Sequence, residues 1–62
     1  MKVEFKVLQL VDSVKNGSEL EVGNSYSGIM DSNRIIYTDN VDCEWIFYVG
    51  DTCELCVKKD KL

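Results

Sequence analysis

A chain of 62 residues has room for one domain and buries only roughly 60% of the surface it exposes when unfolded, which excludes a second core. With 45% hydrophobic and 29% charged residues and no low-complexity run, the composition excludes disorder. Net charge is -4, unevenly spread: nine acids between Asp12 and Glu54 face only Lys15 and Arg34, whereas Lys2, Lys6, Lys58, Lys59 and Lys61 sit near the ends. An acidic middle repels phosphate backbones and disfavours general nucleic-acid binding unless the basic ends converge.

The opening residues, Met1 to Lys6, are too charged for a signal-peptide apolar region, and the apolar runs elsewhere are too short to span a bilayer. These features predict a soluble cytoplasmic protein with no membrane partner. Three cysteines, an odd number, argue against a secreted disulfide framework and fit a reducing compartment.

In chain order, Lys2 to Val7 alternates cleanly, with Val3, Phe5 and Val7 on one side and Lys2, Glu4 and Lys6 on the other, and predicts a half-buried strand. The apolar phase then shifts to Leu8 and Leu10, as in a strand that bends. Asn16-Gly17 supplies a reversal, after which Leu20 and Val22 share a face. Val22-Gly23-Asn24 reads as a second turn leading into a strand over Ser25 to Met30, where Gly28 signals a kink or the close approach of another backbone.

Asp31-Ser32-Asn33 is a turn by composition, and Arg34 to Thr38 is a compact, β-branched strand. Asp39-Asn40 begins the next reversal, with a connection to Cys43 that can exceed two residues. Glu44 to Val49 is apolar on both faces and predicts a central strand, with Trp45, Phe47 and Val49 inward. Gly50-Asp51-Thr52 punctuates it before a last short strand, Cys53 to Val57. One domain over 1–58 and a frayed tail over 59–62 complete the expectation. Five short strands at regular spacing, with no helical period, favour a small closed barrel over an open sheet, since closure removes exposed edges.

The run Leu20-Glu21-Val22-Gly23-Asn24-Ser25-Tyr26, followed by a hairpin, by Trp45-Ile46-Phe47-Tyr48, a tight turn and Cys53-Glu54-Leu55, resembles the small SH3-like barrel proteins of bacteriophages and prophages. In that family the matching run is "leucine, x, x, glycine, x, x, tyrosine", and the chain ends in an aromatic strand, a turn and a "hydrophobic, acidic, hydrophobic" strand. The resemblance covers most of the chain and implies an all-β, five-stranded SH3-like barrel, acting in a bacterial host cytoplasm if phage-encoded. The chain lacks the final-turn proline and the paired loop aromatics of eukaryotic SH3 domains, so proline-rich peptide binding is not carried over.

Candidate chemistry is sparse. Cys53 and Cys56 form a Cys-x-x-Cys, but three residues apart on a strand they face opposite sides. With Cys43 the thiols number three, and no histidine completes a four-ligand zinc site, so the expected roles are core packing for Cys43 and Cys53 and partial exposure for Cys56, with no metal or cofactor. Without histidine a base would have to be Asp, Glu or Lys in a cleft that so short a chain barely forms, and the expectation is no enzyme. Asp39, Asp42 and Glu44 are close in sequence, with Asp39 read as a turn residue and the others as solvent-facing.

If Trp45, Phe47 and Val49 point inward, Ile46 and Tyr48 fall on the opposite face beside Glu44, where Tyr37 or Ile35 of the neighbouring strand can join them. Glu44, Ile46, Tyr48 and Tyr37 are therefore the candidate protein-binding residues, since an exposed tyrosine offers apolar area and a polar tip. The competing role of that face is to cover the second side of a small barrel. Two function classes follow. One is an interaction module, for example a phage protein that binds and modulates or inhibits a host protein. The other is a nucleic-acid-binding barrel using Lys2, Lys6, Lys58, Lys59 and Lys61. Homo-oligomerisation through an edge strand or the Tyr48 face is a third course.

Overall fold

A computed structural model of the chain describes residues 1–56, and within them the fold is all-β. The strands are β1 (Lys2–Val7), β2 (Ser25–Asp31), β3 (Arg34–Thr38), β4 (Glu44–Tyr48) and β5 (Cys53–Leu55). They form one antiparallel sheet in the order β4-β3-β2-β1-β5, curled into a half-barrel of SH3-like type. A single bridge between Val49 and Cys53 brings its two ends together. Among the described residues no helix is long and apolar enough to cross a membrane.

Each strand follows its alternation. Phe5 and Val7 of β1, Ile35 and Tyr37 of β3, Phe47 of β4 and Cys53 of β5 converge on the concave side with Leu20 from the loop, all buried. Phe5 lies at the centre, its ring 5.3 Å from Phe47, 5.7 Å from Tyr37 and 6.1 Å from Tyr26. These separations suit tilted and edge-to-face aromatic contacts.

Gly28 performs the close approach its sequence context implies. A Cβ there would lie 2.7 Å from Ile35 Cγ2 and 2.9 Å from the Ile36 carbonyl, closer than real Cβ atoms come. The missing side chain lets β3 cross β2 tightly and leaves room for Phe5. Leu20 is buried as expected, but Val22 is 57% exposed, because the turn at Gly23 takes the chain away from the core. Leu55 of β5 sits at the rim and is exposed. The last strand ends at Leu55, and its expected extension to Val57 and the tail over 59–62 fall outside the described residues.

The Leu-x-x-Gly-x-x-Tyr run is held by its own ends. Leu20 enters the core, Gly23 takes a φ of 97° and donates its N–H to the Val7 carbonyl, and the Tyr26 hydroxyl donates to the Glu19 carbonyl at 2.7 Å while accepting the Glu21 N–H at 2.9 Å. The irregular connection 8–24 is thereby fixed at its return to the sheet.

Candidate protein-interaction face

The convex face of the sheet carries the residues that the core does not take. Register decides which they are. In β3 and β4, Ile35 lies opposite Phe47 and Tyr37 opposite Trp45, so these side chains share the concave side; Ile36 lies opposite Ile46, Arg34 opposite Tyr48 and Thr38 opposite Glu44 on the convex side. Glu44, Ile46 and Tyr48 thus share one exposed face.

Tyr37 does not join them. It is 8% exposed, packs against Phe5 and Tyr26, and donates its hydroxyl proton to Glu19 Oε2 at 2.7 Å. Burial, then the bond to Glu19 and its negative charge, hold the phenol well above its ordinary pKa. Ile35 is fully buried as well. The residue that does join the face is Ile36, and beyond it Ile29 of β2, which lies opposite Ile36. Ile29, Ile36 and Ile46 therefore form a row across three strands, with Ile29 51% and Ile46 45% exposed. Sequence reasoning missed Ile29 and Ile36 because Ile35-Ile36 are consecutive and alternation alone cannot say which of the two points outward.

Tyr48 stands beside this row at 46% exposure. Its backbone is held from the turn, its N–H donating to Thr52 Oγ1 at 2.9 Å and its carbonyl accepting the Thr52 N–H at 3.0 Å. Arg34, opposite Tyr48, pairs with Asp31 at 3.2 Å, so the rim of the apolar row carries both signs of charge.

At the other end of the hairpin, Asp39 gathers four donors. Its Oδ1 accepts the N–H groups of Val41 and Cys43, and its Oδ2 accepts the Trp45 indole N–H at 3.0 Å and the Ser18 hydroxyl at 3.1 Å. Burial works to raise its pKa, but the bonds from Cys43, Trp45, Ser18 and Val41 outweigh it, and the net shift is downward. Asn40 adds two bonds to the loop, accepting from the Glu19 N–H and donating to the Gly17 carbonyl. Asp39 is thus a turn residue, as its sequence context implies, and also the tie between the hairpin and the loop 8–24.

The cysteines divide by burial. Cys53 is fully buried and its thiol pKa is raised by that burial, Cys43 is half-buried beside Trp45, and Cys56 is half-buried with its Sγ 3.5 Å from Ser25 Oγ. Among the described residues no three Cys, Asp or Glu side chains gather as metal ligands. Of the basic residues, Lys2 and Lys6 lie exposed on β1 with Glu4 between them on the same face. Lys58, Lys59 and Lys61 lie outside the described residues.

No family model, curated protein or solved structure matches the chain. What the molecule does must be read from its own surface.

Proposed function

We propose that this chain is a non-enzymatic protein-interaction module that meets its partner through Ile29, Ile36, Ile46 and Tyr48, with Glu44 and Arg34 at the rim. The supporting observation is the in-register row of three isoleucines on the convex face beside an exposed tyrosine. The core is completed on the concave side by Phe5, Ile35 and Phe47, so the row is not needed to close it. Apolar area of this kind, with an aromatic anchor and a charged rim, is the composition of a binding centre. The resemblance to phage and prophage barrels extends the proposal to a partner in a bacterial host, bound in the cytoplasm and inhibited or redirected.

The test is affinity purification with mass spectrometry, followed by titration of the recovered partner. Tyr48→Ala is expected to weaken binding by about 2 kcal/mol, roughly thirtyfold, as for a central aromatic contact. Lys6→Ala, opposite Ser25 and Glu54 and away from the isoleucine row, is expected to leave it unchanged. The nucleic-acid reading rests on Lys2 and Lys6 sharing an exposed face, and oligonucleotide binding that falls as salt rises would replace the present proposal with it.

A further inference from the structure

The main chain of β4 is occupied on one side. Val49 donates its N–H to the Asn33 carbonyl, and Asp39 donates to the Cys43 carbonyl. With the β3–β4 register, these bonds make the odd-numbered residues of β4 the ones that exchange hydrogen bonds with β3. Glu44, Ile46 and Tyr48 therefore turn their N–H and C=O groups to the opposite edge. Tyr48 uses both within the turn to Thr52. Glu44 and Ile46 have no main-chain partner among the described residues.

We infer that this edge pairs with the same edge of a second copy of the chain, β4 antiparallel to β4 about a twofold axis at Trp45. In that register Glu44 of each copy lies opposite Ile46 of the other. Each of the two pairs exchanges two N–H to C=O bonds, so all the free groups of the edge are satisfied. A twofold axis at Ile46 does worse. It joins Ile46 to itself and sets Glu44 against Tyr48, whose groups are already taken.

Apolar contact favours the same register, since the two Ile46 side chains become diagonal neighbours roughly 7–8 Å apart. The two Glu44 carboxylates are diagonal neighbours too, a like-charge approach that the edge hydrogen bonds offset and that salt screens. The isoleucine rows of the two copies thus meet at the seam. A cavity of about 210 Å³ lies at this edge, bounded by Cys43, Glu44 and Trp45 and by Asp12, Ser13 and Lys15 of the loop. It provides room where the two half-buried Trp45 rings approach at the non-hydrogen-bonded position. An edge left open in this way is a template for another strand, and self-pairing about a closed axis satisfies it without propagating.

The pairing is made by the main chain of β4 and shares the Glu44 and Ile46 side chains with the convex face, but self-association of the purified chain needs no outside partner and so tests it apart from the partner proposed above. The test is sedimentation velocity on the full chain from micromolar to millimolar concentration, with amide exchange read at Glu44 and Ile46. The expected result is a concentration-dependent doubling of mass, with exchange at those two amides slowing in step. Added salt is expected to strengthen the pairing, because each copy carries a net charge of -4. Ile46→Pro removes a donor that points away from β3 and is expected to abolish the doubling while native Trp45 fluorescence is kept. A chain that stays monomeric throughout overturns the inference. So does a dimer whose Glu44 and Ile46 amides exchange as fast as in the monomer, since another surface then holds it. If Ile46→Pro does not fold, exchange on the unaltered chain decides alone.

Discussion

Asp39 does the work of several residues at one turn. Its carboxylate closes the hairpin through Val41 and Cys43, fixes the Trp45 indole and holds the loop through Ser18. All four are donors, and only the ionised carboxylate accepts from all of them, which is why its pKa falls despite burial. The sign of the pH dependence follows. A carboxyl whose folded pKa lies below its unfolded value stabilises the fold above the unfolded value, near 3.8 for aspartate, and that contribution is lost as pH falls through the folded value. Acid titration followed by Trp45 emission is expected to show a transition that begins below about pH 4. Asp39→Asn keeps a carbonyl for Val41 and Cys43 but presents an amide to the indole. It is expected to lower stability at neutral pH and to flatten the acid transition, and an unchanged acid profile would remove Asp39 from this role.

At the scale of elements, turn chemistry sets which face each strand presents. The β2–β3 hairpin has a two-residue loop, Ser32-Asn33, with Asp31 opposite Arg34 and Ser32 at a φ of 61°. A left-handed backbone at a serine carries strain that glycine does not, so Ser32→Gly is expected to stabilise the protein by about 0.5–1 kcal/mol after the added freedom of the unfolded chain is subtracted. Urea unfolding monitored by far-ultraviolet circular dichroism measures it, and destabilisation would mean that the serine is held by more than its backbone. The β3–β4 connection has three residues between Asp39 and Cys43, with Asp42 at a φ of 66°, the geometry of a turn followed by a left-handed residue.

That connection explains what was legible beforehand. The five strands, the inward side of β1 and the tight passage at Gly28 follow from alternation and glycine placement, because there one parity is clearly more apolar or more constrained. β4 is apolar on both parities, and the central place this implied is overturned, since β4 lies at the edge of the sheet. The place of Tyr37 does not follow from alternation either, since Arg34-Ile35-Ile36-Tyr37-Thr38 is apolar on both parities and only the number of loop residues sets Tyr37 opposite Trp45. The bonds from Asp39 to Ser18 and from Tyr37 to Glu19 were hidden for a related reason. They join positions far apart in sequence through a connection with no regular structure, where no period exists to be read.

For the whole molecule the deciding quantity is the small size of the core. A domain of this length has a stability of about 3–9 kcal/mol, taking roughly 0.05–0.15 kcal/mol per residue. Phe5 is fully buried, touches three aromatic rings and sits under Gly28, so it has no neighbour that can move in without distorting β2 or β3. Phe5→Ala is expected to cost about 3–5 kcal/mol, comparable with the entire stability. The variant is therefore expected to be largely unfolded at low concentration, with flattened near-ultraviolet circular dichroism and Trp45 emission shifted to the red. Because anything that binds only the folded state raises apparent stability by mass action, β4 pairing would return part of the folded signal as protein concentration rises. A concentration series on Phe5→Ala thus separates two quantities in one measurement. The dilute limit gives the intrinsic stability of the barrel, and the recovery with concentration gives the strength of the pairing at the Glu44 and Ile46 edge.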